Sequence, residues 1–117
     1  MDDWQPATIV KVNEIVARDL KACDAEQLAA FSKYRIEPFS APIVRYEQVE
    51  CVVVVARNGD QVIYYEDVED GFNVSRMSSD GQILEHWCND DELRFALNAW
   101  IEGRGLRGRL GPAASLK

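Results

Sequence analysis

The sequence lacks a long hydrophobic run and has few cysteines. Its longest apolar run covers only residues 51–56, which is far too short to cross a bilayer. The three cysteines, Cys23, Cys51 and Cys88, are widely separated and include no Cys-x-x-Cys pair. This pattern is typical of reduced thiols and not of a disulfide framework. The first residues are acidic and contain no apolar core, so we expect no secretory signal. These absences predict a cytoplasmic protein.

Positive charge is scarce in the middle of the chain. From Glu47 to Glu92 the sequence has 12 acidic residues, opposed only by Arg57 and Arg76, so this stretch carries a net charge of −10 against −7 for the whole chain. Such a potential attracts cationic partners and repels a nucleic-acid backbone or an anionic membrane. We therefore expect a protein partner with a basic surface, and neither nucleic acid nor membrane as a partner.

The familiar catalytic motifs are also absent. The sequence has no glycine-rich phosphate loop, no Gly-x-Ser-x-Gly and no His-Glu-x-x-His. His86 is the only histidine, and a nucleophilic Cys88 would need it as a base from two residues away on the same strand. The two side chains would touch only with distortion of the strand. We therefore expect no enzymatic activity.

The best candidate for a metal site is the segment that holds Glu85, His86, Cys88, Asp90 and Asp91. His86 and Cys88 share one face of a predicted strand, but a structural zinc site needs about four ligands in recognisable pairs. Loose carboxylates without an EF-hand loop bind calcium weakly. We interpret Cys88 as a small buried residue and expect no metal or other cofactor. A small metal-binding domain remains a third alternative for the function.

Two helices are predicted at the N-terminal end of the chain. Pro6 suits the first turn of a helix, and apolar residues then recur at spacings of three and four, with charged residues off this stripe. Asp24 and Gln27 form a capping-box pattern that indicates a second, short helix, in which we expect Leu28 and Phe31 to be buried. The stripe comprises Ile9, Val12, Val16, Leu20 and Cys23, and the solvent-facing set includes Arg18 and Asp19.

Prolines at positions 38 and 42 predict a crossing loop over residues 37–42. Patterns typical of strands follow this loop. The β-branched run at 51–56 is typical of a central strand that is covered on both faces. Asn58 and Gly59 favour a tight two-residue hairpin turn. Two Asp-Gly pairs, at 70–71 and 80–81, mark further turns, so the pattern predicts an antiparallel meander. The other predicted strands are 61–66, 72–77 and 82–87.

A last helix is predicted after the meander. Asn89 and Glu92 form a second capping-box pattern, and Gly103 is a suitable helix terminator. The buried stripe of this helix comprises Leu93, Ala96, Leu97, Trp100 and Ile101. The order of elements predicts an α+β fold with one or two N-terminal helices, a meander of about four strands and a C-terminal helix. We expect residues 1–103 to form a single domain and residues 104–117 a flexible tail rich in Gly and Arg.

Most of the acidic residues of the middle fall at predicted turns, so we expect them to converge on one rim of the sheet. Strand alternation places Tyr64 and Glu66 on one face and Tyr65 and Asp67 on the other. The acids are interpreted either as solvation that protects the sheet edges or as a docking surface with aromatic anchors inside a charged rim. The candidate partner-binding residues are Tyr64, Glu66, Asp67, Glu69, Asp70, Phe72, Asp80, Trp87, Asp90 and Asp91.

The segment YYEDVEDGFNVSRMSSDGQI, followed by DDELRFALNAW, resembles the C-terminal half of small immunity proteins from bacterial toxin–immunity systems. The resemblance covers residues 64–100 and consists of the Glu-Asp-Gly-Phe turn, the Asp-Gly turn and the Asp-Glu-Leu helix start. It implies an acidic, cytoplasmic α+β protein that neutralises a cognate toxin by covering its active or substrate-binding surface. It assigns no individual binding residue.

An acidic secretion chaperone is the alternative from a different functional class. Such a protein would hold a segment of a partly unfolded effector on apolar grooves and would be an obligate dimer. For an immunity protein we expect a monomer or weak homodimer that binds its toxin in a one-to-one complex.

Overall fold

The computed structural model of the chain describes residues 8–45, 47–67, 70–85 and 92–101. Within these residues the chain forms three helices and one four-stranded sheet, which confirms the predicted α+β class. The elements are α1 (Ile9–Leu20), α2 (Ala25–Tyr34), β1 (Arg35–Arg45), β2 (Gln48–Asn58), β3 (Gln61–Glu66), β4 (Gly71–Arg76) and α3 (Leu93–Ile101). Pro6, Asn89, Gly103 and the predicted tail 104–117 lie outside the described residues.

Local capping chemistry sets the starts of the first two helices. The Thr8 side chain accepts a hydrogen bond from the Lys11 backbone N–H at 3.1 Å and caps α1. At α2, Asp24 and Gln27 form both hydrogen bonds of the capping box, each at 2.8 Å, which confirms the predicted helix start. The burial predicted for α2 is half right. Phe31 is buried, whereas Leu28 is 42% exposed.

The sheet is an antiparallel meander in the order β1-β2-β3-β4. Asn58 pairs with Gln61, so the predicted tight hairpin is confirmed, with a two-residue loop that starts at Gly59, one residue later than expected. Gly59 has a φ of 65°, a left-handed conformation that glycine adopts without steric cost. Residues 52–56 are buried, as expected for an inner strand that is covered on both faces.

The predicted crossing loop over residues 37–42 is wrong, because these residues belong to β1. β1 is an outer strand of the sheet, and prolines are tolerated on outer strands because their missing N–H removes no bond from an inner ladder. The Pro42 carbonyl accepts a hydrogen bond from the Ile83 backbone N–H at 2.9 Å, on the side away from β2.

The predicted strand at 82–87 is also wrong over the part of it that the structure describes, residues 82–85. There only Ile83 forms β-bridges, one with Ile43 of β1 and one with Met77 just after β4. The fourth strand of the meander is therefore β1. Because β1 and β4 are the two outer strands, the segment around Ile83 links opposite edges of the sheet and closes its second face.

Two hydrophobic cores lie on the two faces of the sheet. The larger, which we name the helix-side core, joins residues of all three described helices to β2, β3 and β4 and includes Phe31, Tyr65 and Leu97. The smaller, which we name the second-face core, is built from the sheet and the segment after it. Its buried residues are Ala41, Ile43, Val52, Val54, Val62, Tyr64, Met77 and Ile83.

Candidate partner-binding surface

The acidic turns do not share one rim of the sheet. Asp70 directly precedes β4, whereas Asp80 follows it, and the six residues of β4 span about 20 Å. Asp60 lies at the Asp80 end, since its carbonyl accepts a hydrogen bond from the Met77 backbone N–H at 2.7 Å. The expectation of a single acidic rim is therefore wrong, and Asp67 and Asp70 occupy the opposite end from Asp60 and Asp80.

Three of the candidate residues are buried inside the protein. Tyr64 is 0% exposed in the second-face core, and Phe72 is 1% exposed in the helix-side core. Glu66 is 0% exposed, on the second face with Tyr64, as strand alternation predicted. Because their side chains are buried, Tyr64 and Phe72 are not available as surface anchors, and Glu66 presents no carboxylate to a partner. Glu69, Trp87, Asp90 and Asp91 lie outside the described residues.

Asp67 follows β3 and Asp70 precedes β4, and we name these two residues the acidic turn. The Asp70 backbone N–H donates to the Glu66 carbonyl at 2.8 Å, and Asp70 has a φ of 61°, a conformation that Asp and Asn tolerate better than most residues. Asp70 is exposed and Asp67 is partly buried.

Tyr65 supports the acidic turn from the helix-side core. Its hydroxyl donates a hydrogen bond to Asp70 Oδ1, and its ring packs edge-on against Phe72 with centroids 5.3 Å apart. Burial, followed by this hydrogen bond and the charge of Asp70, raises the pKa of Tyr65 well above its ordinary value. Tyr65 therefore remains a neutral donor and orients one oxygen of Asp70 without neutralising the carboxylate.

The ends of α1 and α3 meet near the acidic turn. Asp19 was expected to face solvent, but it is 5% exposed because its Oδ2 accepts a hydrogen bond from the Leu93 backbone N–H at 3.0 Å and so caps α3. Its Oδ1 accepts from Arg18 Nε at 3.0 Å. The pKa of Arg18 is raised first by this hydrogen bond and the charge of Asp19, and more weakly by Asp70 and Tyr65. The acidic turn thus lies within electrostatic range of Arg18.

The β1–β2 hairpin extends beyond β3 at the same end of the sheet. Val53 pairs with Tyr65, near the end of β3, and the earlier residues of β2 continue past it. Cross-strand partners share a face, so two successive pairs continue the helix-side face beyond the helices. They are Pro42 with Cys51 and Val44 with Val49, and we name these four residues the hairpin surface. Val44 is 52% and Val49 71% exposed, so the helices leave this part of the face uncovered.

The hairpin surface lies next to acidic residues. Glu47 is exposed at the hairpin turn. Because Val53 pairs with Tyr65 near the end of β3, Asp67 and Asp70 lie at the end of the sheet beyond which the hairpin extends. Sequence reasoning missed this surface, because runs of β-branched residues are equally typical of a covered strand. The only signal of an uncovered face was that the β1–β2 hairpin is longer than β3. This difference is visible only once the bounds of the strands are known.

A second polar arrangement that sequence reasoning missed is buried on the second face. Glu85 is 3% exposed, and its Oε1 accepts hydrogen bonds from the Arg76 backbone N–H at 2.8 Å and the Ser75 hydroxyl at 3.1 Å. Its Oε2 accepts from Arg76 Nε at 2.6 Å and forms an ion pair with the same guanidinium. The Tyr64 hydroxyl donates to the Glu85 carbonyl at 3.2 Å.

We name Glu85, Arg76 and Ser75 the glutamate clasp. Burial raises the pKa of Glu85, but the side-chain and backbone hydrogen bonds from Arg76, its charge and the Ser75 hydroxyl outweigh burial and lower the pKa below the ordinary value. Glu85 is therefore an ionised, fully engaged carboxylate. It attaches the segment that carries Ile83 to the edge of β4, which is a structural role.

The described residues offer little for metal or thiol chemistry. Among them, no three His, Cys, Asp or Glu side chains are grouped closely enough to hold a metal ion, while His86 and Cys88 lie outside the described residues. Cys23 and Cys51 are free thiols, and burial raises the pKa of Cys23, which lowers its thiolate population. In the described part of the chain, no helix is long and apolar enough to cross a membrane.

The surface that the geometry leaves as a binding candidate is therefore one end of the sheet, which holds the exposed Asp70, Asp67 and the hairpin surface. Comparison of the chain with protein-family models, with curated proteins and with solved structures found no significant match.

Proposed function

We propose that the protein is a non-enzymatic, acidic binding protein of the cytoplasm, and that it acts as an immunity protein. In this role it neutralises a cognate bacterial toxin by covering the basic active or substrate-binding surface of the toxin. The observation that carries the proposal is the acidic turn, in which the exposed Asp70 is fixed by the Tyr65 hydroxyl and the Glu66 carbonyl, beside Asp67.

A fixed carboxylate suits capture of a basic protein surface. Ordering a flexible side chain on binding costs free energy, and this cost is reduced where the side chain is held in place before the partner arrives. The chain carries a net charge of −7, so its long-range potential also accelerates encounter with a cationic protein. A toxin that binds phosphate groups through lysines and arginines would present such a surface.

The experiment compares the two acidic ends of the sheet. Asp67→Asn with Asp70→Asn removes two charges at the candidate surface, and asparagine at position 70 tolerates the positive φ and still accepts the Tyr65 hydrogen bond. Asp60→Asn with Asp80→Asn removes two charges at the far end and is the matched control. The partner to test is the protein encoded immediately upstream, whose binding would be measured by co-purification and then by stopped flow.

At low salt we expect the first double variant to slow association by about tenfold, and to flatten its salt dependence, while the control changes association by less than about twofold. Equal effects of the two double variants would contradict a role for the acidic turn. A wild-type association rate that is independent of salt would contradict the electrostatic basis of the proposal.

The secretion chaperone is the second candidate, and the observation that favours it is the exposed apolar hairpin surface. A chaperone would use such a surface to hold an extended effector segment and would be an obligate dimer. Sedimentation of the purified protein separates the two candidates. We expect a monomer or weak homodimer, and a dimer that persists at micromolar concentration would favour the chaperone.

A further inference from the structure

The hairpin surface is an exposed apolar face that no described element covers. Its two pairs, Pro42 with Cys51 and Val44 with Val49, are successive on one face of the hairpin, so the four side chains are contiguous. Val49 is 71% and Val44 52% exposed, although β-branched residues in a cross-strand pair normally stabilise a sheet by being packed. An uncovered patch of this kind on a small protein is a common mark of an interaction site.

The hydrogen-bonding edge of β1 is unsuited to docking at this point, so the face is the relevant feature. Pro42 has no N–H to offer an added strand, and its carbonyl is already bonded to the Ile83 backbone N–H at 2.9 Å. A partner therefore cannot extend the sheet beside Pro42 by strand addition. It can contact the face, where the valine side chains lie.

The charges around the hairpin surface select the partner. Glu47 is exposed at its tip, and Asp67 and the exposed Asp70 follow β3 at the same end of the sheet. A second copy of this chain would bring the same carboxylates and a further net charge of −7 to the interface, and like charges placed together oppose association. A basic partner with an apolar side chain among its cations would satisfy both features.

We infer that the hairpin surface is the apolar centre of the partner-binding site, and that it takes an apolar side chain of a partner protein that is flanked by lysines or arginines. The inference rests on the proposed function, because it names the chemistry of the partner at the same end of the sheet. The acidic turn attracts the partner electrostatically. Val44 and Val49 supply the apolar contact, from which water is removed on binding.

The test uses two synthetic peptides as probes for the intact protein, one of alternating arginine and leucine and one of alternating arginine and serine. Binding is followed by backbone amide chemical shifts at low salt. We expect the arginine–leucine peptide to shift the amides of residues 43–51 and those of Asp67 and Asp70, and to bind about tenfold more tightly than the arginine–serine peptide, as expected for burial of about two methylene equivalents.

The variant that tests the contact is Val44→Thr with Val49→Thr, because threonine keeps the branched shape and strand preference while replacing a methyl with a hydroxyl. We expect it to bind the arginine–leucine peptide about tenfold more weakly and the arginine–serine peptide unchanged. Val10→Thr is the matched control, since Val10 is 69% exposed on α1, and it should bind both peptides as the wild type does.

Three outcomes would overturn the inference. The first is unchanged arginine–leucine binding by the threonine pair, and the second is a set of amide shifts that maps away from residues 43–51. The third is a dimer in sedimentation that the threonine pair dissociates, which would make this face an interface between copies. The Asp67→Asn, Asp70→Asn variant separates this failure from failure of the proposed function. If that variant binds the arginine–serine peptide as the wild type does, the electrostatic proposal fails, whatever the valines contribute.

Discussion

The two faces of the sheet are buried by different means. On the helix-side face, the core joins three helices to three strands, with Leu93 and Leu97 both 0% exposed. On the second face, eight buried apolar residues adjoin buried polar groups, among them Ser75 at 0% and Glu85 at 3% exposure. The first face is closed by helices, which pack on the sheet and of which α1 caps α3 through Asp19. The second is closed by the segment around Ile83, which the hydrogen bonds of the glutamate clasp attach to β4.

This difference shows how a chain of 117 residues buries side chains on both faces of one sheet. The described helices form the core on one face, and the segment that contains Ile83 and Glu85 covers the core on the other. An ion pair at low exposure adds little net free energy of folding, because desolvation offsets the attraction. The hydrogen bonds that Glu85 accepts from the Arg76 backbone N–H and the Ser75 hydroxyl of β4 instead fix where the segment attaches. The two faces should therefore respond differently to mutation and to pH.

The largest effect is expected on the helix-side face. Leu97→Ala should lower the free energy of unfolding by about 3 kcal/mol, because it removes a fully buried side chain and leaves a cavity between α3 and the sheet. Urea denaturation at neutral pH measures the change. Val10→Ala, which shortens an exposed side chain on α1, is the control and should change stability by less than about 0.5 kcal/mol. Similar losses for the two variants would contradict the assignment of the helix-side core.

A smaller effect is expected from the second face. Arg76→Ala leaves the Glu85 carboxylate buried without its guanidinium partner. Loss of one partner of a fully buried pair costs about 3–5 kcal/mol, but Arg76 is 38% exposed and solvent screens the charge, so we expect about 2 kcal/mol.

A double-mutant cycle tests whether this loss belongs to the clasp. Glu85→Gln keeps an oxygen that accepts from the Arg76 backbone N–H and the Ser75 hydroxyl, and it removes the charge. In combination with Arg76→Ala, the total loss should be smaller than the sum of the two single losses by about 1 kcal/mol. Strict additivity would show that the ion pair does not couple the two residues in solution.

The parts of the fold that the sequence predicted are those set by local chemistry. The capping box at Asp24 and Gln27 is formed, and both Asp-Gly pairs lie at turns, with Gly81 at a φ of 91°. Residues 52–56 of β2 are buried, as the β-branched run predicted for an inner strand that is covered on both faces. In each case the residues that determine the structure are neighbours in the sequence.

The features that the sequence did not predict depend on distant contacts. Asp19 lies off the apolar stripe of α1, yet it is buried because it caps α3, 74 residues further along the chain. Tyr64 was a candidate anchor and is core, since its burial depends on the segment around Ile83. Arg76 is one of two bases among 12 acids between Glu47 and Glu92. The scarcity of bases in this stretch was the one signal that Arg76 pairs with a carboxylate, but it did not identify Glu85 as the partner.

The smallest expected effect is the loss of stability in Glu85→Gln. The pH dependence of this loss is the sharpest test of the difference between the faces. The folded-state pKa of Glu85 is lowered from the ordinary value of 4.5, so its ionised form contributes stability that is fully present above 4.5. This contribution is lost as the pH falls through the lower pKa of the folded state. Glu85→Gln should therefore be less stable than the wild type at neutral pH, by less than Arg76→Ala is, because glutamine keeps the two neutral hydrogen bonds. As the pH falls from 4.5 through that lower pKa, the two proteins should converge in urea denaturation, while the deficit of Leu97→Ala persists. A gap between Glu85→Gln and wild type that stayed constant with pH would mean that the second face is held by neutral packing like the first.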